Sequence, residues 1–408
     1  MIGTTRRAVA VLGAIAMLAG SAACAAEDKP SADSPAISTP AAQTTRGEIV
    51  SETPVAQMSA ADTSTYLNSS VRNGVDAYRV VYRTIDTSGR PTTASGLVVL
   101  PRTDSRRLRV VSYAHGTLSL KSDAPSVNGA TRPDRARTIM FAAAGYAAVA
   151  PDYLGLGEGP GFHPYTHAPT EVSASVDLLR AARTVAARAQ RELDQDILVT
   201  GFSQGGQAAT ALGKALHTGQ VPDFGLAALA PVSGPYDLQN VQTPAALDGR
   251  ARPASAVFYF AYWLTSMNRI HHLYNSPTEA FQEPYAAEVE ALFDGNHTEI
   301  AIGAALLTAP QQLLTPKFIA WSRNPTGVAR DAVADTDGTC DWTPRVPVHL
   351  YAASGDRDVP YANSEHCLQA LHSDKVTLID LGDIDHGSTA GIALPQILAA
   401  FEQQAPPT

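Results

Sequence analysis

The chain of 408 residues holds only three cysteines, too few for a Cys-based zinc module or a disulfide-dense small scaffold. It has no H-E-x-x-H or comparable spacing of metal ligands, so no metal is expected. Past the N-terminus there is no run of Lys or Arg, and the formal charge is −9 with a pI near 5.6. Binding a phosphate backbone needs a concentrated basic patch, which excludes nucleic acid as a partner. The apolar run Ala8–Ala19 is too short for a comfortable transmembrane helix, and no internal repeat is found. What is present is ordinary: 45% hydrophobic and 17% charged residues, with 30 Gly and 28 Pro. That composition is globular, neither wholly disordered nor collagen-like. Length alone suggests two or three domains, although α/β enzymes often keep about 250 residues or more in one unit.

Arg6 and Arg7 precede the Ala8–Ala19 run, and the small residues Gly20 to Cys24 follow it. A basic start, a short apolar stretch and a small-residue exit read as a secretory signal peptide over 1–23. Cys24 stands where a bacterial lipoprotein is cleaved and acylated. Ser21 occupies the position where such a lipobox prefers Leu, and Ala23-Cys24-Ala25 also reads as an ordinary cleavage site. The expected location is therefore outside the cell or on its envelope, with a lipid on Cys24 as the membrane attachment. Residues 24–62 are rich in Ala, Ser, Thr and Pro and hold few large apolar side chains. Such a segment buries too little surface to offset its ordering entropy, so a disordered tether is expected there, with the folded domain over 63–408.

Within that domain, Ala77–Ile85 and Ala94–Leu100 read as a strand hairpin around Ser88-Gly89. Leu108–Tyr113, Ala147–Ala150, Ile197–Thr200, Leu226–Ala230, Val346–Ala352 and Val376–Leu381 follow as further strands. Helices are expected over Arg137–Ala144, Pro169–Gln190, Gly205–Leu216 and Ala390–Phe401. Strand and helix alternating at this spacing predict an α/β fold, a mostly parallel central sheet with helices on both faces. The stretch 238–324 breaks the pattern. It is long, aromatic around Phe258–Trp263 and helical in periodicity, and it lies between two core strands, which predicts an inserted helical cap.

Gly201-Phe202-Ser203-Gln204-Gly205 carries the sharpest chemical signal, because it follows a strand and opens an Ala/Gly-rich helix. A serine on so tight a strand-to-helix turn needs small neighbours two residues to either side. To act as a nucleophile, Ser203 needs a base, and the base needs an orienting carboxylate. In the chain order Ser, acid, His, the loop after Val346–Ala352 offers Asp356 and Asp358. The D-x-x-V-P spacing to Pro360 favours Asp356, leaving Asp358 as a solvated loop acid beside Arg357. After Val376–Leu381 comes His386, in a polar, Gly-flanked loop ahead of the last helix, as general base. His163, His167, His271 and His272 read as surface or cap-packing residues. An acyl-transfer site also needs donors for the developing oxyanion. The backbone N–H of Gln204 supplies one. The loop Tyr113-Ala114-His115-Gly116-Thr117 supplies the other, assigned to Thr117 ahead of Gly116, with His115 structural.

These residues resemble the α/β-hydrolase superfamily over Tyr78 to Phe401, and more narrowly the secreted lipase/esterase branch that includes lipase A-like enzymes. The narrower likeness rests on Ser95-Gly96-Leu97-Val98 before Pro101, the His115-Gly116-Thr117 loop, Pro151 to Gly157, the Ser203 elbow and Asp356 through Pro360. Ala353 departs from the Gly commonly found three residues before the acid. The resemblance implies ester hydrolysis through an acyl-enzyme, without a cofactor, under a cap lining an acyl pocket for a small acyl ester or lipid. An exported serine peptidase on the same scaffold is the alternative, with Glu279, Glu283, Glu288 or Glu290 of the cap anchoring a substrate amine. A non-catalytic binding protein is a third reading, and the intact Ser, acid and His set speaks against it. Cys340 and Cys367 flank the acid loop, and export invites a disulfide between them.

Overall fold

The computed structural model describes residues 45–128 and 133–408. The expected signal peptide, Cys24 and the first part of the tether lie outside the described residues.

The described residues build a nine-stranded sheet. Its strands are β1 (Ile49–Met58), β2 (Gly74–Ile85), β3 (Pro91–Arg102), β4 (Arg107–Ala114), β5 (Ala147–Pro151), β6 (Glu192–Phe202), β7 (Gly225–Val232), β8 (Val348–Ala352) and β9 (Val376–Asp380), in the order β1-β2-β3-β5-β4-β6-β7-β8-β9. β1, β2, β3 and β5 pair antiparallel, and everything from β5 to β9 is parallel. β2 and β3 form the expected hairpin, in unbroken register from Gly74↔Arg102 to Ile85↔Pro91, with Gly89 at φ +74° in the turn.

Helices cover both faces, as two separate apolar clusters record. On one face α3 (Ala168–Arg188), α4 (Gln204–His217) and α13 (Ala362–Leu371) bury Val176, Leu179, Leu212 and Leu371 against Val110, Val149, Ile197 and Leu229. On the other, α2 (Pro133–Ala143) and α14 (His386–Gln404) bury Ile139, Phe141, Leu394 and Phe401 against Val111, Ala148, Leu198 and Ala230. Strands buried on both faces must be apolar at successive positions, and Ala147–Pro151 is buried throughout.

The tether expectation needs correction. Residues 49–58 are not tether but β1, an edge strand in register with β2 from Ile49↔Tyr82 to Met58↔Val75. A helix, α1 (Ala60–Leu67), follows it behind a Ser59/Asp62 capping box. The polar, Pro-bearing sequence suits an edge: Pro54 borders a register shift, and edge strands and bulges are where a sheet tolerates proline. Val55, Ala56 and Met58 pack on the core.

The insertion between β7 and β8 is helical, and it runs past the expected end at 324. It contains α5 (Thr243–Asp248), α6 (Pro253–His271), α7 (Pro277–Ala280), α8 (Val289–Leu292), α9 (Glu299–Ala305), α10 (Pro310–Leu313), α11 (Pro316–Arg323) and α12 (Val328–Ala334). It has its own apolar cluster, built on Phe260, Leu264, Phe281, Leu313 and Phe318. At its two ends, Asp337 accepts the N–H groups of Leu238 (2.6 Å) and Gln239 (3.2 Å), tying the outgoing chain to the incoming one. Beyond it, Cys340 and Cys367 form a disulfide, with Cα atoms 5.3 Å apart.

Candidate active site

Ser203 stands between β6 and α4 as the helix N-cap, with φ +59° and ψ −123°, a region that L-residues avoid and that needs support from the surrounding packing. The neighbouring glycines show what that support requires. A Cβ on Gly201 would stand 2.1 Å from the Gly205 carbonyl oxygen, and one on Gly205 would stand 2.0 Å from that of Ala114. Neither position admits a side chain, which is the physical content of the G-x-S-x-G pattern. The Ser203 N–H is held by the Val232 carbonyl on the next strand, at 2.9 Å.

The elbow meets two loops from the same end of the sheet. The loop after β8 carries Asp356, and His386 follows β9. His386 Nε2 lies 2.8 Å from Ser203 Oγ, and His386 Nδ1 lies 2.6 Å from Asp356 Oδ2. The carboxylate can only accept, so Nδ1 carries the proton and Nε2 presents a lone pair to the serine hydroxyl. Asp356 Oδ1 is fixed by the N–H groups of Asp358 (2.8 Å) and Val359 (2.9 Å). All three side chains belong to buried residues. The Phe202 ring packs on the imidazole, with centroids 4.8 Å apart. A Cβ on Gly355 would strike Asp383, so the acid loop passes tightly under the histidine loop.

Two expectations about these loops change. His386 is not in a loop but is the first residue of α14, whose N-cap Asp385 accepts the Ser388 N–H at 3.1 Å. The polar, Gly-containing stretch that suggested a loop is a helix start. Asp358 is not paired with Arg357. It accepts from Ser255 Oγ (2.8 Å) and lies 3.3 Å from Arg252 Nε, so it links the acid loop to the start of α6 in the cap.

Gln204 opens α4, and the first N–H groups of a helix have no acceptor within it, so its amide is available beside Ser203. The loop His115-Gly116-Thr117 leaves β4 next to the elbow, with Ala114 in register with Gly201. A Cβ on Gly116 would lie 3.3 Å from the Phe202 carbonyl oxygen, so the loop runs against the turn. His115 is structural: Nδ1 lies 2.7 Å from the Gly116 carbonyl, and its ring packs 4.4 Å from that of Tyr153. Thr117 Oγ1 lies 3.0 Å from the Tyr165 hydroxyl. Tyr165 stacks on Tyr262 of α6 at 4.3 Å, and the Tyr262 hydroxyl donates to the Leu118 carbonyl. The cap is thus joined to the candidate oxyanion loop.

Asp152 braces the same region from below. Fully buried, it accepts from Ser95 Oγ (2.6 Å), the Ser126 hydroxyl and the Ser126 N–H. Burial raises its carboxyl above the usual range, and those hydrogen bonds oppose the rise. Gly157 passes so close that a Cβ there would lie 2.3 Å from both Asp152 and Ser95, which accounts for the Ser95 and Pro151–Gly157 segments singled out in the sequence.

A cavity lies between Ser203 and the cap. Its walls are mainly apolar: Leu238, Tyr259, Phe260, Trp263, Trp321 and Val333, with Gln204 and Tyr165 near the serine. The Trp263 indole N–H is satisfied by Thr336 Oγ1 at 3.0 Å. None of Glu279, Glu283, Glu288 and Glu290 lines it. Glu279 pairs with Lys317, and Glu290 accepts from the Tyr274 hydroxyl. His167 and His271 both face Asp335, at 3.4 and 2.9 Å, where they join body and cap.

Sequence reasoning missed a buried polar group at the nucleophile's neighbour. Gln204 Nε2 donates to Glu171 Oε1 (2.8 Å) and to His163 Nε2 (2.9 Å). His163, read from sequence as a surface or cap residue, is buried here, with Nδ1 3.0 Å from the Leu154 carbonyl. Burial lowers its imidazole to about 3, so it is neutral. Burial pushes the Glu171 carboxyl up to about 8, against the lowering effect of Gln204. The three residues lie 33 and 41 positions apart in pairs, and no local spacing could have signalled them.

Comparisons with known proteins agree with this architecture. A Legionella pneumophila protein proposed to be a hydrolase superposes with a TM-score of 0.79 at 28% identity, covering 88% of this chain and 98% of that one. The rice cell wall degrading esterase LipA from Xanthomonas oryzae gives 0.77 at 26% identity, with the same coverages. Candida antarctica lipase A in its closed state shares the fold, with a TM-score of 0.65 at 15% identity over 88% of this chain and 82% of that one. No curated protein matches the chain in sequence. The sequence model of the alpha/beta hydrolase family matches residues 130–386, from the residues ahead of α2 to the histidine at the serine, and the chain belongs to that family.

Proposed function

We propose that the protein is an exported serine hydrolase that cleaves carboxylic esters through an acyl-enzyme on Ser203. The observation that carries this reading is the His386 imidazole standing 2.8 Å from Ser203 Oγ and 2.6 Å from Asp356. The fold and its esterase and lipase neighbours support ester hydrolysis as the reaction class.

In this mechanism, Ser203 Oγ attacks the ester carbonyl carbon while His386 Nε2 takes its proton. The carbonyl oxygen becomes an oxyanion, which the N–H groups of Gln204 and Thr117 stabilise. Collapse breaks the bond to the alcohol oxygen, and His386 returns the proton to that leaving group. A water molecule then gives its proton to His386 and attacks the acyl carbon, and the second collapse frees the carboxylic acid and restores Ser203. Asp356 holds the imidazole in the required tautomer throughout and offsets its transient positive charge. The apolar cavity wall favours an apolar acyl group. Export rests on the N-terminal sequence, with Cys24 as acylation site, and the Cys340–Cys367 bond fits an oxidising compartment.

The test is hydrolysis of p-nitrophenyl esters from acetyl to palmitoyl, beside aminoacyl p-nitroanilides, with Ser203→Ala as control. Ester turnover that disappears in the variant supports the reading. Cleavage confined to the anilides replaces it with a peptidase.

A further inference from the structure

Gln204 occupies a demanding place in the proposed mechanism: its N–H faces the oxyanion, and its side chain lines the substrate cavity. The side-chain amide is fully buried, and its two hydrogens are both used, one on Glu171 Oε1 and one on His163 Nε2. His163 can accept there because its other nitrogen faces a backbone carbonyl and must carry the proton. Two atoms of this group are left without a partner in the depth of the protein: Gln204 Oε1 and Glu171 Oε2. Both are acceptors if Glu171 is ionised, and two orphaned buried acceptors on side chains already joined by a hydrogen bond are costly.

One proton removes both vacancies. We infer that Glu171 is a neutral carboxylic acid whose Oε2–H donates to Gln204 Oε1, closing a two-bond acid–amide ring that positions the residue after the nucleophile. The inference rests on the proposed function for its consequence, since Gln204 matters as the oxyanion donor. The surroundings favour the neutral acid. The titratable groups that interact with Glu171 are the phenols of Tyr153 and Tyr165, reached from the segment after β5, and burial raises both first of all, so neither supplies a charge. His163, from the same segment, is neutral. From α4 comes the amide of Gln204. Among the described residues no cation contributes to the ionisation of Glu171, whose carboxyl burial raises to about 8. Further along α3, Asp177 holds Arg46 and Arg180, so those charges are already paired.

Glu171 is a positioning residue: it acts on the reaction through Gln204. Loss of its proton at alkaline pH breaks one bond of the ring, sets two oxygens against each other and places a buried negative charge beside a site where negative charge must develop. The proposal therefore predicts a pH profile with an alkaline limb above about pH 8 from Glu171.

The experiment compares the wild type with Glu171→Gln and Glu171→Ala. Glutamine reproduces both bonds, with its NH₂ on Gln204 Oε1 and its carbonyl on Gln204 Nε2, and has nothing to titrate. Its kcat should stay within about threefold of wild type at pH 7 and lose the alkaline limb. Glu171→Ala should lower kcat about tenfold or more with a smaller change in KM, as removal of a transition-state interaction does. The rate of Ser203 phosphonylation by a fluorophosphonate, which needs no knowledge of the acyl group, should follow the same pattern. Infrared titration provides a readout apart from activity: the difference spectrum of wild type minus Glu171→Gln, which cancels the raised carboxyls of Asp337 and Asp152, should hold a protonated-carboxyl band at pH 7 that disappears above about pH 8. Identical alkaline limbs in wild type and Glu171→Gln, or no such band, would overturn the inference, and an Ala variant that does not fold leaves both tests intact. A wild type that neither hydrolyses esters nor takes the label refutes the proposed function instead, while the infrared band still decides the proton on Glu171.

Discussion

Replacing Cys340 and Cys367 by alanine, singly and together, separates the worth of a cross-link from that of two buried side chains. The bond spans a sequence separation of 27 and joins the chain leaving the cap to α13, the helix after the acid loop. Closing a loop of that length removes unfolded-chain entropy worth about 3–4 kcal/mol. For a folded unit of about 360 residues, at roughly 2 cal/mol/K of unfolding entropy per residue, that lowers Tm by about 5 °C. Both cysteines are buried, so each alanine also loses some packing. The cross-link is lost once, whichever cysteine is removed. The double variant should therefore be less destabilised than the sum of the single variants by about 3–4 kcal/mol. Urea unfolding of the three variants and the wild type at pH 7, without reductant, measures this. Single-variant losses that simply add in the double variant would show packing alone and no stabilising cross-link.

Other consequences can be checked separately. Asp356→Asn should lower kcat by about 10⁴ by presenting the wrong histidine tautomer. Asp358→Asn should leave kcat within a few-fold and cost at most about 1 kcal/mol in unfolding experiments, since its Arg252 partner is half exposed. A large kcat loss in the second variant and not the first would reverse the two assignments. Gly205→Ala places a Cβ 2.0 Å from the Ala114 carbonyl and should destabilise by about 1–3 kcal/mol or more while cutting kcat by displacing the oxyanion loop. A variant as stable and active as wild type in melting and ester assays would contradict the elbow packing described. Glu171, with its folded value raised from 4.5 to about 8, contributes stability that is fully present below about pH 4.5 and is lost as pH rises through about 8. The loss is on the order of 4–5 kcal/mol. Glu171→Gln should flatten that fall, so urea midpoints of the two proteins that change in parallel between pH 5 and 9 would contradict it.

The strands and helices that make the parallel sheet were legible because burial on both faces forces continuous apolar runs such as Ala147–Pro151, and because Gly145 and Gly201 punctuate them. β1 was not legible. An edge strand needs only every second side chain inside, and Ser51, Glu52, Thr53 and Pro54 carry no signal of pairing with β2. The end of the cap at Ala334 was missed for a related reason: short helices such as α12 hold too few turns to show a period. At the candidate site, Ser203, Asp356 and His386 could be proposed from sequence because each follows a strand, in the chain order that the fold requires. Glu171, His163 and the role of the Gln204 side chain could not, because those contacts join α3, α4 and the segment after β5, which are distant in sequence. The histidines at 163 and 167 were indistinguishable in sequence, yet one touches the residue beside the nucleophile and the other caps a helix.

Every step of the proposed reaction depends on Ser203 being a nucleophile activated by His386. Mass-spectrometric mapping of fluorophosphonate labelling tests it most directly, on the wild type, Ser203→Ala and His386→Ala, with p-nitrophenyl ester hydrolysis measured on the same samples. The expected result is a single adduct on Ser203, none in the serine variant, labelling slowed by several orders of magnitude in the histidine variant, and ester turnover lost in both. An unlabelled Ser203 in a folded wild-type protein, or ester turnover that survives Ser203→Ala, would contradict it.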